Sequence, residues 1–480
     1  MTVTEELPTG RLLVVDLDGT LIRSDMLYET FWSAFASDWT VPFSAAASLL
    51  KGRAALKQKM SDLAKVDVTA LPYDDAVIDR IRRWREGGGR TVLVTASNQD
   101  IAQQIAAHLG LFDEVHGSDN TRNLKGRHKA AFLTERFGDG GFDYMGDSPA
   151  DLAVWKHAGR AIAVNASAQT RDRLRAMGGD AEFMQTRDTG PGPYFKALRP
   201  HQWLKNLLIF LPMLMAHDLS LITVSKSLMA FVVFCMIASG VYVLNDLLDL
   251  ASDRAHPRKR NRPLASGNMP LSHGTLLAPL LLLHGMLSAI ILGPSFIVVM
   301  LVYLVTTTAY SLFLKRQLVV DIFTLALLYA VRILAGGGAT GIPLSIWLLA
   351  FSIFFFFSLA AVKRQAELVD GAANGKITAH GRGYRVDDLP LVANMALGSG
   401  YVSVLVMVLY LNTGMVQKLY PSPSWLWGIC LVLLYWISRT VMLTHRGQMH
   451  DDPVVFAVKD RGSQFCFLLV LGFATAGALL

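Results

Sequence analysis

Residues 228–253, LMAFVVFCMIASGVYVLNDLLDLASD, join an apolar run that stops at Leu244 to an N-D-x-x-D-x-x-x-D pattern made by Asn245, Asp246, Asp249 and Asp253. If the helix continues through this pattern, steps of three and seven residues bring the three carboxylates within about 60° of one another on one face. Like charges stacked in that way repel. A cation relieves them, and hard oxygen ligands where an apolar span meets water suit Mg²⁺ carrying a diphosphate. The plainer alternative is a solvated acidic helix end paired with Arg254, Arg258, Lys259, Arg260 and Arg262, which follow directly. The first reading implies a membrane transferase acting on a diphosphate.

The chain has 480 residues, more than one ordinary domain, and is 52% hydrophobic with 17% charged residues. The averages hide a division. Up to about Arg199 the sequence is mixed and charged, as in a soluble domain; beyond Trp203, apolar runs recur with short polar breaks. Nine candidate spans fall near 203–216, 224–245, 273–292, 295–313, 318–335, 343–362, 388–411, 423–440 and 463–480. Alternate breaks hold the basic residues: Arg254 to Arg262, then Lys315 and Arg316, then Lys363, Arg364, Lys376, Arg382 and Arg385, and finally Arg439, Arg446, Lys459 and Arg461. The opposite breaks, around 216–225, 293–295, 336–343 and 412–424, hold only Lys418. The opening MTVTEELPTGR is acidic and polar, unlike a secretory leader, so the soluble part is expected on the cytoplasmic side of an inner membrane, together with the Asp pattern. The net charge of +7 then reflects topology and phosphate binding, and no nucleic-acid partner is expected. Cys235, Cys430 and Cys466 lie in apolar spans without metal or redox spacing and read as packing residues. An oligomer is compatible with this pattern but not specified by it.

In the soluble part, LLVVDLDGT at 12–20 is an apolar strand ending in Asp16 and Asp18, followed by a turn at Gly19. TVLVTAS at 91–97 is a second strand; NLKG at 123–126 and FDYMGDSPAD at 142–151 follow in order. The set resembles the haloacid-dehalogenase-like superfamily, in its phosphoserine-phosphatase-like branch. That resemblance implies a phosphohydrolase in which Asp16 attacks phosphorus and Asp18 moves a proton. By the same likeness Thr95 holds the phosphoryl group, Lys125 neutralises it with Lys129 as the rival, and Asp16, Asp147 and Asp151 bind Mg²⁺. Alternating strands and helices imply a doubly wound parallel sheet with the site at the strands' carboxyl ends. An insertion at about 24–75, opening with the helically spaced DMLYETFWSAFASDW, is expected to form a small helical cap. Its Trp32, Phe35 and Trp39 suit core packing of the cap, with contact to a greasy substrate as the alternative. The hydrolase-like domain is expected over 1–168, and the charged stretch 169–198, with T-G-P-G-P at 189–193, reads as a connector.

Residues 199–211, RPHQWLKNLLIFL, together with the Asp pattern resemble the UbiA superfamily of intramembrane prenyltransferases, over nearly all of 199–480. The likeness implies an all-α nine-span bundle in which Asp246, Asp249 and Asp253 hold Mg²⁺ and a diphosphate. NDLLDLASDRAHPRKRNRPLASG at 245–267, LKRQLVVDI at 314–322 and SLAAVKRQAEL at 358–368 lean toward the decaprenyl-phosphate phosphoribosyltransferase branch. Where aromatic prenyltransferases carry a second acidic motif, this chain has Lys363 and Arg364, with Glu367 as the acid nearby. Two cations in place of a carboxylate pair bind a phosphate directly, so a phosphate-bearing acceptor is expected. The implied substrates are phosphoribosyl diphosphate and a membrane lipid, a polyprenyl phosphate. Asn245 is expected to orient the donor, and Lys315, Arg316, Lys363, Arg364 and Tyr310 to hold phosphates. Arg332 lies within a span and needs a buried partner. Trp203 and Lys205 read as boundary anchors or ligand contacts, Gly336–Gly338 as an outer turn, and DDPVVFAVKDR at 451–461 as a loop without an assigned role.

A tethered phosphatase has a chemical rationale, since the transfer product carries a 5′-phosphate at the membrane surface. The rival enzyme is a prenyltransferase moving a polyprenyl diphosphate tail to an aromatic acceptor beside an independent phosphatase; a transporter or lipid-binding scaffold is the non-enzymatic alternative.

Overall fold

The computed structural model describes residues 11–480 apart from 51, 53–55, 57, 58, 61, 120–122, 189, 374–382 and 450–451. The acidic opening at 1–10, Thr189, Lys376, Arg382 and Asp451 therefore lie outside the described residues. The chain divides into two compact units, Met1–Leu198 with Tyr242–Pro279, and Arg199–Val241 with Leu280–Leu480.

The first unit is built on a six-stranded parallel sheet: β1 Leu12–Val15, β2 Arg90–Asn98, β3 Glu114–Ser118, β4 Phe142–Gly146, β5 Arg160–Val164 and β6 Asp180–Met184, in the order β3-β2-β1-β4-β5-β6. β1 is central, and all four of its residues are buried, as an inner parallel strand covered on both faces requires. One face packs Leu13, Val15, Ile81 and Trp84; the other packs Val14, Val92, Tyr144 and Trp155. The chain leaves β1 toward β2 on one side and returns to β4 on the other, so the crevice above the carboxyl end of β1 is the topological switch point where such sheets bind ligands.

Part of the expected connector belongs to this sheet. Ala168–Met177 is a helix, and β6 pairs with β5 from Arg160↔Asp180 to Val164↔Met184. An edge strand faces water along one side, so its residues are polar enough to read as linker.

The insertion after β1 does begin with helices, Met26–Ser37 and Val41–Leu50. Asp25 caps the first by accepting from the Leu27 amide at 2.8 Å. Trp32 is buried, yet it packs chiefly on Val243, Leu247, Leu264 and Leu271 of the Tyr242–Pro279 segment rather than within the cap alone. Its indole N–H donates to Thr275 Oγ1 at 2.9 Å. Trp39 is 74% exposed.

The second unit is helical. Among the described residues, eight helices across the chain are long and apolar enough to cross a membrane, Leu221–Leu248, Leu271–Leu292, Pro294–Leu312, Val320–Thr340, Ile346–Ala373, Val386–Leu411, Pro423–His445 and Arg461–Leu479. The first expected span, near 203–216, is instead a 3-10 helix, Pro200–Phe210, running into a short α-helix, Leu211–Met215. Pro212 lacks the amide hydrogen that would continue a helical ladder from Pro200–Phe210 into Leu211–Met215. Exposed Leu276, Leu283, Leu287, Ile290 and Ile291 line one long helix as a lipid-facing surface would. Gly336–Gly338 lie inside the helix Val320–Thr340, not in an outer turn. A Cβ on Gly336 would meet the Ile209 carbonyl oxygen at 2.1 Å, so the glycine allows two backbones to touch.

Candidate active sites

Asp16 directly follows β1, Thr95 sits near the end of β2, and Asp147 and Asp151 follow β4, so four separate sequence positions converge at the switch point. Asp16, Asp147 and Asp151 each offer an oxygen within 4.8 Å of the others. The Asp151 carboxylate accepts from the Ser148 amide at 2.9 Å, the Ser148 hydroxyl at 2.8 Å and the Tyr144 hydroxyl at 2.9 Å. Burial lifts Asp147 well above the usual carboxylate range, and the charges of Asp151 and Asp16 lift it further. Burial likewise raises Asp16 to about 6, although Lys129 opposes the rise. Two buried carboxylates and a half-buried one, whose mutual repulsion Lys129 offsets only in part, are a donor set that fits a divalent cation. Gly19 makes room for it: its φ is +74°, and a Cβ there would lie 2.2 Å from Asp147 Oδ2.

Asp18 is held from two sides, accepting from the Met26 amide at 2.7 Å and the Ser97 hydroxyl at 2.6 Å. Ser97 was missed by sequence reasoning, although it stands two residues beyond Thr95 on the same strand end. The Thr95 hydroxyl oxygen is buried and accepts from the Ser97 amide at 3.0 Å.

Of the two candidate lysines, Lys129 and not Lys125 lies beside Asp16. Lys129 Nζ lies 2.9 Å from Asp16 Oδ1 and donates to the Tyr144 hydroxyl at 2.9 Å, within the buried site. Burial alone would lower its pKa; Asp16 and Asp151 outweigh burial and raise it. Lys125 is exposed, lines the wider cavity and has no side-chain partner among the described residues. Three residues into the helix Arg127–Phe137, Lys129 faces the sheet, whereas Lys125 precedes the helix. Spacing from the acidic motif did not separate them.

The Asp pattern is only partly helical. The long helix ends at Leu248, Asp249 has ψ 11°, and a short helix, Leu250–Ala255, resumes. Amide bonds from Asp249 to the Asn245 carbonyl and from Asp253 to the Asp249 carbonyl, 2.9 and 2.8 Å, keep the rise nearly continuous. Asp246 and Asp253 do share a face: Arg262 Nη1 reaches the first at 3.0 Å and the second at 2.5 Å. The cation between them is thus the guanidinium from the plainer reading. The Asp249 carboxylate has no hydrogen-bond or ion-pair partner among the described residues, and Asp253 Oδ1 is buried without a hydrogen bond, with Lys259 Nζ 4.0 Å away. Three carboxylates are chemically suited to a divalent cation, but among the described residues their oxygens are not gathered as closely as those of Asp16, Asp147 and Asp151. The Asn245 side chain likewise makes no hydrogen bond among the described residues.

Arg254 does not join that cluster. It forms a paired bond to Glu29 of the cap, 2.9 and 2.6 Å, and Glu29 also accepts from the Ser24 hydroxyl at 2.5 Å. Sequence reasoning gave Glu29 no role.

In the second unit, neighbouring basic residues part company. Arg364 is fully buried and pairs with Asp321 at 2.7 Å and with Glu367. Lys363, about 100° around the helix, reaches Asp452 at 3.1 Å, and Lys205 reaches the same oxygen at 2.8 Å. The open 451–461 motif thus supplies a counter-ion, Asp452, and Lys205 is more than a boundary anchor. Tyr384 donates to Asp321 at 2.6 Å, completing the buried group. Replacing Arg364 with Ala strands the Asp321 charge, an expected loss of about 3–5 kcal/mol that denaturant melts in detergent would register. Arg332 finds its partner in Asn206, at 2.8 Å, within 5.1 Å of the Phe234 ring and 5.6 Å of Tyr303, so a side-chain box, not Asp321, accommodates the cation. Lys315 and Arg316 form a 3-10 turn, half-buried and exposed, without side-chain partners among the described residues. Tyr310 is half-buried on the helix Pro294–Leu312.

Two family models match successive parts of the sequence, the C-terminal one running across both structural units. The sequence model of the UbiA prenyltransferase family matches residues 206–474, and that of the haloacid dehalogenase-like hydrolases matches 13–156. The uncharacterized protein y4nM of Sinorhizobium fredii is 39% identical across 95% of this chain and 89% of its own length. Decaprenyl-phosphate phosphoribosyltransferase of Mycobacterium tuberculosis is 42% identical over 179 residues, 36% of this chain and 59% of that protein. A UbiA homolog from Archaeoglobus fulgidus, solved bound to GPP and Mg²⁺, superposes with a TM-score of 0.44 at 15% identity, covering 59% of this chain and 99% of its own.

Proposed function

Because the chain belongs to the UbiA prenyltransferase family and carries a haloacid-dehalogenase-like hydrolase domain ahead of that match, we propose a bifunctional, multi-pass membrane enzyme that transfers phosphoribose to a polyprenyl phosphate and then removes the 5′-phosphate. The observation that carries this reading is the packing of the Asp pattern and the hydrolase site into one compact unit, joined by Glu29 and Arg254. Tethering of that kind raises the effective concentration of one site's product at the other. The basic breaks between spans support a cytoplasmic location for both sites, at an inner membrane.

In the transfer, an oxygen of the lipid phosphate attacks the anomeric carbon of phosphoribosyl diphosphate. The bond from that carbon to the diphosphate breaks, and its electron pair leaves with pyrophosphate. An ionised phosphate needs no general base. Asp246, Asp249 and Asp253 would hold Mg²⁺, which supplies charge compensation for the departing diphosphate. Arg262 bonds both Asp246 and Asp253 and holds them in position, and Asn245 orients the ribose. Lys315, Arg316, Lys363 and Tyr310 are assigned to the monophosphates on their chemistry. Arg364, expected from sequence to share that task, serves the fold through Asp321 instead.

In the hydrolysis, a carboxylate oxygen of Asp16 attacks phosphorus, the ester P–O bond breaks, and Asp18 gives the leaving alkoxide its proton. Water then attacks phosphorus, Asp18 takes the proton back, and the bond from Asp16 oxygen to phosphorus breaks, which frees the Asp16 carboxylate and releases inorganic phosphate. Asp16, Asp147 and Asp151 would hold a second Mg²⁺, which shields the phosphate from the carboxylates. Lys129 neutralises the phosphoryl group and Thr95 orients it. Lys129→Ala should lower phosphatase turnover about a hundredfold or more, and Lys125→Ala far less; steady-state rates of phosphate release compare them, and equal losses would reject the assignment.

Pyrophosphate release by the purified full chain tests the transfer. The expected result is release that requires both phosphoribosyl diphosphate and a polyprenyl phosphate. Release from a polyprenyl diphosphate with an aromatic acceptor, without phosphoribosyl diphosphate, would overturn it.

A further inference from the structure

The cavity above Asp16 is far larger than a phosphate, about 610 Å³, and part of its wall comes from outside the hydrolase domain. Pro270, Leu271, Ser272 and His273, at the start of the helix Leu271–Ala289, line it together with Asp16 and Asp18. These residues belong to the same compact unit as the hydrolase domain. Three further observations fix them there. Tyr194 Oη lies 2.6 Å from His273 Nδ1, which leaves Nε2 as the ring nitrogen without a protein partner among the described residues. Trp32 bonds to Thr275 one turn further along, and Leu271 packs in the cluster around Trp32. Gly267, with φ +71°, sits so close to Arg23 that a Cβ would meet the Arg23 carbonyl oxygen at 2.4 Å. Arg23 also lines the cavity.

We propose that Ser272 and His273 are specificity residues of the phosphatase, which bind the hydroxylated leaving group of the phosphomonoester while the Asp16 end handles the phosphate. The cavity is lined by the acids Asp16, Asp18, Asp147 and Asp151 and also by the hydroxyl, imidazole and guanidinium groups of Tyr28, Ser272, His273 and Arg23, the last already bonded to Asp74. That chemistry suits a sugar phosphate better than an aryl or alkyl phosphate. Leu27, Leu49 and Leu56 add an apolar side. A site closed in part by the helix that follows the Asp pattern accepts substrates presented at the membrane surface. This inference deepens the proposed dephosphorylation of a lipid-linked ribose phosphate and rests on it for the choice of substrate.

The test compares kcat/KM for lipid-linked ribose 5-phosphate with kcat/KM for p-nitrophenyl phosphate in the full-length protein in nanodiscs. His273→Ala should lower the ratio of the two at least tenfold, mainly through KM for the sugar substrate, and His273→Gln should restore part of it. A ratio unchanged within twofold overturns the proposal. Should His273→Ala not fold, Ser272→Ala is judged by the same ratio with a threefold threshold. If the parent protein hydrolyses p-nitrophenyl phosphate but not the lipid, the dephosphorylation reading falls on its own; the wall is then judged with free ribose 5-phosphate as the sugar substrate, where the same tenfold loss supports it and a constant ratio sinks it.

Discussion

Asp16→Asn should stop the phosphatase while leaving transfer intact, so that a phosphorylated lipid accumulates and pyrophosphate release continues. Asn keeps the size and most hydrogen bonds of the side chain but cannot attack phosphorus, and it removes the charge that Lys129 meets at 2.9 Å. Loss of a covalent nucleophile costs about a thousandfold or more in turnover. Because Asp16 is buried beneath the cavity, its replacement leaves the outer surface of the domain unchanged. Mass spectrometry of extracted lipid over time checks the coupling. If the phosphorylated lipid disappears equally fast with parent and variant, the hydrolase domain has some other substrate.

Asp249→Ala should abolish transfer and spare the fold. Among the three acids it is the one whose carboxylate makes no contact with a described cation, whereas Asp246 and Asp253 are engaged by Arg262. Removing an unpaired, half-buried carboxylate changes stability by about 0.5 kcal/mol or less. Removing a ligand from a metal–diphosphate cradle costs about a hundredfold or more in rate. Phosphatase turnover on p-nitrophenyl phosphate serves as the internal control. A variant that still releases pyrophosphate at the parent rate would remove Asp249 from the site. Asp246→Ala is the less clean experiment, because it also frees Arg262 from one of its carboxylates.

The apolar spans and the order of strands were legible because both are written in local composition. Seventeen or more apolar residues have few other destinations, and LLVVDLDGT announces a buried strand that stops at a polar edge. Convergence of Asp16, Asp18, Asp147 and Asp151 followed from the motifs and the sheet topology together. What composition did not carry was pairing. Lys363 and Arg364 are adjacent in sequence but occupy different helix faces, and only packing reveals that Arg364 belongs to Asp321. Lys125 and Lys129 lie four residues apart and both suit a phosphate; the start of the helix Arg127–Phe137 turns Lys129 toward Asp16. Arg262 came last among five nearby cations, and the turns at 256–262 bring it back to the Asp pattern. β6 was hidden by its polarity, as edge strands are. The same reasoning explains Trp32, whose apolar ring was correctly judged to be packing, but whose partners lie some two hundred residues away.

The claim on which the account turns is that the aspartate-rich segment directs phosphoribose onto a lipid phosphate. The most direct measurement is the mass of the lipid formed when the purified protein is given phosphoribosyl diphosphate, a polyprenyl phosphate and Mg²⁺. A ribosyl-phosphate lipid with the parent, and its 5′-phosphorylated form with Asp16→Asn, is the predicted result. An unmodified polyprenyl phosphate, with product appearing only when a polyprenyl diphosphate and an aromatic acceptor are supplied, would contradict it.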